Sequence, residues 1–264
     1  MKKVWIGFLL NMQFFTAVPI HKTLPMEKEY VNSSVRTFPV LGLLQGVFYS
    51  SIVYGLLHLT PFSILAVSFF LWLFMIVFTG GLHLDGWMDA SDAFFSYQDH
   101  GKRLEIMKDP RIGAFGVLSV IVLLSAKFFF VYETMNNIQP ETYFLLVFIP
   151  FYSKMVMGLL LIHVPEAKKD GLGSFFKKAV SGNITAVYSG YAAISLVLVY
   201  FFYEAAFVDV LFLLISSGVS FFVLAKKIVK WFGGLTGDLL GAAVEGTEII
   251  LWAVVWLLHY FVMG

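Results

Sequence analysis

Cysteine is absent from the 264 residues, and charged residues make up only 13% of them. The lack of thiols excludes disulfide bonds and metal sites built on thiolates. Soluble domains average about 25% charged residues, so this charge content is too low for a water-exposed protein. With 59% of the residues hydrophobic, the composition predicts an integral membrane protein, and no basic soluble domain remains that could bind nucleic acid.

Seven apolar runs are long enough to cross a bilayer as helices, which takes about 20 residues. They lie at 38–58, 63–83, 112–132, 143–163, 186–203, 210–226 and 248–263. A further apolar run at 4–20 has basic residues at both ends, which predicts a re-entrant or interfacial helix. The expected fold class is therefore an all-α, polytopic bundle of about seven spanning helices plus this N-terminal helix, forming one transmembrane domain over 1–264.

Lysine and arginine mark one end of this bundle. With the 21–37 loop placed inside, the other inner loops are 84–111, 164–185 and 227–247. All 18 Lys and Arg except Lys127 and Lys154 then lie at the inner face, and none lies in an outer loop. This pattern follows the positive-inside rule. We therefore expect a multi-pass protein of a bacterial or archaeal cytoplasmic (inner) membrane, with its polar motifs facing the cytoplasm.

Three aspartates follow the second span, in the stretch GGLHLDGWMDASD at 80–92. Asp85, Asp89 and Asp92 are spaced i, i+4 and i+7, which places them on one face of a helix. Carboxylates this close repel one another unless a cation lies between them, and oxygen ligands without Cys or clustered His suit Mg²⁺ or Mn²⁺. The alternative is a solvated helix face, which normally intersperses Lys or Arg, and this stretch contains neither. We therefore predict a Mg²⁺ site formed by the three aspartates.

A second acidic stretch, GGLTGDLLGAAVEGTE at 233–248, lies in the last inner loop. As in the first stretch, Gly-Gly-Leu is followed three residues later by an Asp and seven residues after that by another acid, here Asp238 and Glu245. Two such segments that face each other across a bundle can orient an attacking hydroxyl or bind a second metal, so both acids are catalytic candidates. Glu248 has a simpler interpretation, as an acid favoured by the dipole at a helix start.

Several basic residues are candidates for holding a phosphate. Arg111 is either a positively charged anchor at the membrane surface or a residue whose guanidinium binds a phosphate through two hydrogen bonds. Lys154 lies near the middle of a span, where an ionisable group is costly, and is therefore a functional candidate. Lys127 lies nearer the outer end of its span, where a lysine can snorkel, and is expected to be structural. Lys168 and Lys169 fit a substrate or anionic lipid headgroups equally well. The residues predicted to contact substrate are His83, Asp109, Lys154, Lys168, Lys169, Thr236 and Glu248.

These stretches resemble the cobalamin-5′-phosphate synthase family, also called adenosylcobinamide-GDP ribazoletransferases, over nearly the whole chain. The matching stretches are 14–19, 38–46, 79–92, 109–116, 171–173 and 234–248. The resemblance implies a polytopic, Mg²⁺-dependent enzyme of the inner membrane. Such an enzyme joins adenosylcobinamide-GDP to α-ribazole or its 5′-phosphate and releases GMP.

The resemblance also implies a reaction, in which a ribosyl hydroxyl attacks the cobinamide-side phosphorus of the diphosphate. The implied roles are Mg²⁺ binding for Asp85, Asp89 and Asp92, charge balance for Arg111 and Lys154, and hydroxyl placement for Asp238 and Glu245. The chain departs from the family at Pro110, where Ser is frequent, and at Lys154, where Arg is frequent.

Three alternatives stay open at this point. A CDP-alcohol phosphotransferase needs an Arg shortly after Asp-Gly, and none follows Asp85-Gly86 before position 102. An intramembrane prenyltransferase opens its acidic motif with Asn-Asp, but Leu84 precedes Asp85. A transporter gathers polar groups near the midplane, whereas here they gather at one face. Membrane lipid is an expected partner, and a homo-oligomer is compatible with the sequence.

Overall fold

The computed structural model describes residues 2–96 and 99–261, and within these ranges every regular element is a helix. The helices are α1 (Lys2–Phe15), α2 (Lys28–Arg36), α3 (Phe38–Leu59), α4 (Ile64–Thr79), α5 (Leu82–Ser96), α6 (His100–Ile106), α7 (Ala114–Asn136), α8 (Thr142–His163), α9 (Gly171–Ala179), α10 (Ile184–Phe202), α11 (Phe207–Phe232) and α12 (Gly237–Phe261). A 3₁₀ turn, Glu204–Ala206, precedes α11. The predicted all-α class is confirmed.

The described helices also confirm a polytopic membrane bundle. Six of them are long and apolar enough to cross a membrane, namely α3, α7, α8, α10, α11 and α12. α4 passes the same test only together with α5, from which it is bent by 84°. Its 16 residues are about 24 Å long and return the chain to the end that carries the basic loops. The N-terminal α1, with 14 residues, is not a candidate span, as predicted.

We call the end formed by the described residues of the connections 21–37, 80–96, 99–113, 164–183 and 233–236 the basic face. The span predicted at 63–83 ends earlier than predicted, at Thr79. Gly80 and Gly81 adopt positive φ angles of 61° and 78°, a conformation that ends a helix and favours glycine. α5 therefore starts as a separate helix, bent by 84° from the direction of α4.

The span predicted at 248–263 begins earlier than predicted, at Gly237. Thr236, predicted to contact substrate, is buried and accepts a 3.2 Å hydrogen bond from the backbone N–H of Leu239, which caps α12. Most of the second acidic stretch is therefore helix rather than loop. Residues 262 and 263 of the predicted span lie outside the described part of the chain.

α8 is the central helix of the bundle, and most of its side chains are buried against α3, α11 and α12. Its contact with α3 is backbone to backbone, because Gly42 faces Pro150 and Gly46 faces Val147 with no room for a Cβ atom. Two small residues spaced four apart on a helix allow close packing of this kind. At both glycines the backbones of α3 and α8 therefore lie in direct contact.

We expect Gly46→Ala to lower the free energy of unfolding by about 1–3 kcal/mol, the usual cost of overpacking. The new methyl group would collide with the backbone at Val147. Thermal unfolding of the purified protein in detergent measures the effect. Gly55→Ala is the matched control, because Gly55 lies on the same helix and has open space beside it. Equal melting temperatures for the two variants would contradict the packing described here.

Candidate functional site

The aspartates of α5 share one face of the helix, which is the face that the spacing predicts. α5 is held between α12 and α7. Gly86 allows the first contact, since it lies against the backbone of Asp238 where a Cβ atom would not fit. Asp85 is exposed, and Asp89 and Asp92 are half-buried. The acidic face of α5 is therefore accessible at the basic face of the bundle, to which α5 belongs.

Asp238, at the start of α12, adds a fourth carboxylate to this face. Burial, followed by repulsion from Asp85, Asp238 and Asp92, raises the pKa of Asp89 to about 6. The four carboxylates therefore lie within electrostatic reach of one another. We call Asp85, Asp89, Asp92 and Asp238 the carboxylate cluster.

The carboxylate cluster is not a closed metal cage. Within 2–96 and 99–261, no three Asp, Glu, His or Cys side chains are arranged to hold a metal ion by themselves. Mg²⁺ does not need such a cage, because it keeps several waters and takes one or two carboxylates plus substrate phosphates. The oxygen-only donors and their mutual repulsion, which a divalent cation would relieve, fit Mg²⁺ in this shared form. The binding of one ion by all three aspartates of α5 stays a prediction.

Lys168 brings a positive charge to the cluster. Two backbone hydrogen bonds, of 3.0 and 2.7 Å, join the loop before α9 to Leu235, just ahead of α12. This places Lys168 close enough to Asp238 for the two charges to attract. Its Nζ also donates a 3.0 Å hydrogen bond to the carbonyl of Leu104. The neighbouring Lys169 is exposed.

Arg111 lies in the loop before α7 and is paired with Asp109. Its Nε donates to Oδ1 at 2.9 Å and its Nη2 to Oδ2 at 2.5 Å. This pair lowers the pKa of Asp109 to about 2, so both groups are charged at neutral pH. Gly113, in the same loop, lies so close to the Asp92 carboxylate that a side chain there would displace that carboxylate. The loop therefore brings an exposed guanidinium beside α5.

Glu245 and Glu248 lie elsewhere than predicted. Both belong to α12 and are only 4% and 3% exposed. Their carboxylates accept hydrogen bonds of 2.7 and 3.0 Å from the Nζ of Lys127 on α7. The loop position predicted for Glu245 and the helix-start position predicted for Glu248 are therefore wrong, and Lys127 is paired inside the bundle instead of snorkelling. Two acids three residues apart in one apolar helix, with a lone lysine in another, are the signal that would have predicted this ion pair.

His83 and Lys154 form a second buried contact, beneath the start of α5. Their exposures are 2% and 0%, and Lys154 Nζ lies 2.5 Å from His83 Nε2. Lys154 thus contacts the buried side of α5, at His83, and does not line the exposed acidic face. His83 is buried in a packed helix interface, and its predicted contact with substrate stays a prediction.

A sequence model of the cobalamin-5-phosphate synthase family matches residues 7–256. The chain belongs to this family. It is 39% identical to an adenosylcobinamide-GDP ribazoletransferase of Geobacillus sp. (strain WCH70), with all of both chains covered. A Geobacillus kaustophilus (strain HTA426) protein of that name is 40% identical, again with both chains covered completely. One from Clostridioides difficile (strain 630) is 31% identical over 96% of this chain and 98% of its own. No solved structure matches the chain.

The resemblance to the cobalamin-5-phosphate synthase family is therefore confirmed, and the structure shows why its matching stretches are spaced so widely. The stretches 79–92 and 234–248 supply the carboxylate cluster, and 109–116 lies against Asp92. The stretch 171–173 begins α9, where Gly173 lies directly against Gly237. Four of the stretches that carry the family resemblance thus meet at one place on the basic face.

Proposed function

We propose that this chain is an adenosylcobinamide-GDP ribazoletransferase. It joins adenosylcobinamide-GDP to α-ribazole, or to α-ribazole 5′-phosphate, and releases GMP. The carboxylate cluster beside Lys168 and Arg111 is the observation that supports this activity, because it offers ligands for a divalent cation next to cations that attract phosphates. The full-length similarity to relatives of that name supports the choice of substrates.

In the proposed reaction, a ribosyl hydroxyl of the acceptor attacks the cobinamide-side phosphorus of the diphosphate. An O–P bond forms there, the P–O bond to GMP breaks, and the hydroxyl proton passes to a base. Asp238 is our choice for that base, because it stands on a different helix from the other three carboxylates and faces them. Lys168 and Arg111 attract the phosphates and balance the charge of the leaving GMP.

Mg²⁺, when bound by Asp85, Asp89 and Asp92, would neutralise diphosphate oxygens. The basic face, where all these groups gather, is proposed to be the cytoplasmic side of a bacterial or archaeal inner membrane, in agreement with the positive-inside rule. Lipid would contact the exposed apolar side chains of the outer helices, such as Phe201 and Phe222.

Purified protein in proteoliposomes, given adenosylcobinamide-GDP, α-ribazole and Mg²⁺, tests the activity. We expect one GMP to be released for each joined product, and no release when EDTA removes the metal. Chromatography of the nucleotides and corrinoids measures both products. Uptake of a substrate without any conversion would instead support the transporter alternative, and a folded protein that releases no GMP would overturn the proposal.

The Mg²⁺ requirement should depend on pH because of Asp89. Its pKa of about 6 means that the carboxylate gains a proton as the pH falls through 6, and a proton competes with Mg²⁺ for the same oxygens. We therefore expect the half-saturating Mg²⁺ concentration to rise up to about tenfold for each pH unit below 6 and to level off above 7. Mg²⁺ titrations of GMP release between pH 5 and 8 measure this. A requirement that stays constant over that range would contradict the assignment of Asp89.

A further inference from the structure

We infer that Lys154 is a positioning residue that acts through His83 to fix the start of α5, and with it the Asp85 carboxylate. This inference rests on the proposed function, which it deepens, and it gives Lys154 a role different from direct contact with the leaving group. The contact between Lys154 Nζ and His83 Nε2, at 2.5 Å in a fully buried place, is the observation that carries it.

Lys154 is shielded from any substrate. It lies inside α8, the most deeply buried of the candidate spans, and its side chain is 0% exposed. An ammonium group has donors and no acceptor, so a protonated Lys154 donates to His83 Nε2, and the imidazole is then neutral with its proton on Nδ1. Glu245 and Glu248 lie close enough to attract the charge of Lys154, which helps to keep an ammonium inside the bundle.

His83 is held on several sides, two residues before Asp85. Its ring stacks on Phe15 with the centroids 6.2 Å apart, and Gly241 lets α12 approach the backbone of His83 closely. One turn later, Gly86 lies against the backbone of Asp238. Asp85 therefore lies between two fixed points of α5, and Lys154 supplies the only charged hydrogen bond recorded for His83 in the described residues.

The need for such an anchor follows from the break before α5. Gly80 and Gly81 have positive φ angles and separate α5 from α4 by a bend of 84°, so α4 does not hold α5 in place through a continuous helix. An error of about 1 Å in the position of a catalytic group can lower a rate about 10²-fold. A buried contact at the first turn of α5 therefore fixes the position of the Asp85 carboxylate, which lies in the next residues of the same helix.

The test compares Lys154→Met with Lys226→Met, a control that removes an exposed lysine of α11. For Lys154→Met we expect kcat for GMP release to fall about 10²-fold while the KM values for both substrates change less than about twofold. We also expect hydrogen exchange of the α5 amides to become about tenfold faster, and this measurement needs no substrate. Lys154→Arg, which keeps a cation and a donor, should restore much of both properties.

The double variant Lys154→Met/His83→Phe covers the case in which Lys154→Met does not fold, because replacing both partners by apolar groups leaves neither unsatisfied. If the two residues act through one contact, the double variant is no slower than Lys154→Met alone. A raised KM for adenosylcobinamide-GDP with unchanged exchange in α5 would show substrate contact and overturn the inference. Unchanged kcat and unchanged exchange would overturn it as well. Failure of the wild type to release GMP would refute the proposed function alone, since the exchange measurement tests the anchor separately.

Discussion

Asp89→Asn is expected to lower the rate of GMP release on the order of 10³-fold, as expected when a group that stabilises transition-state charge is removed. Asn has the same shape as Asp but offers a weaker, neutral ligand to a divalent cation. Asp89 is the member of the carboxylate cluster whose pKa the other three raise, so it stands at the point where their negative charges converge. The rate is measured by GMP release at saturating Mg²⁺ and saturating substrates.

The same substitution should leave the stability of the protein unchanged or increase it, because it removes repulsion from Asp85, Asp92 and Asp238. Thermal unfolding in detergent without Mg²⁺ measures this. Glu105→Gln is the matched control, since it also removes one negative charge from the basic face but lies exposed on α6. If Asp89→Asn keeps its activity, Asp89 does not belong to the site. The same conclusion follows if the loss of activity matches the fraction of protein that has unfolded.

Lys127→Met is expected to lower the free energy of unfolding by about 3–5 kcal/mol, the usual cost of breaking a buried ion pair from one side. Lys127 is 3% exposed and is hydrogen-bonded to both Glu245 and Glu248. Without it, two carboxylates stay inside the bundle with Lys154 as the nearby cation. We expect a large fall in the melting temperature and in the yield of folded protein, whereas Lys226→Met should change neither.

Neutralising one acid should reverse much of this loss. In Lys127→Met/Glu245→Gln, one negative charge remains, on Glu248, and Lys154 remains to balance it. We therefore expect the double variant to be more stable than Lys127→Met, a comparison made by thermal unfolding under identical conditions. If Lys127→Met were as stable as the wild type, the ion pair would not contribute to holding α7 against α12.

Features that depend on local pattern were predicted well from the sequence. The aspartate spacing predicted a helix with three carboxylates on one face, and α5 has that arrangement. The four-residue spacing of Gly42 and Gly46 is a local pattern of the same kind, since small residues so spaced favour a close helix contact, and both glycines make one with α8. Both properties are set by residues within a few turns of one helix, so no knowledge of the distant chain was needed.

Helix boundaries next to polar residues were predicted less well. Hydropathy placed the start of the last span at 248, because the preceding stretch is rich in glycine and contains acids. The structure starts α12 at Gly237 and buries Glu245 and Glu248 within it. The stretch is helical because neighbouring helices supply what its own sequence lacks, namely a buried lysine and close packing against α5. Such compensation cannot be read from hydropathy alone.

By itself, the sequence determined that this protein is a multi-pass helical bundle with its basic residues at one end and a line of aspartates there, since hydropathy, charge position and helical spacing are properties of adjacent residues. Only the tertiary structure decided which groups the buried side chains meet: Glu245 pairs with Lys127, and Lys154 contacts His83 at the start of the aspartate helix. The physical reason is that a buried charge must pair with whichever group the packed helices bring within about 3 Å, and that choice belongs to the packing of the whole bundle.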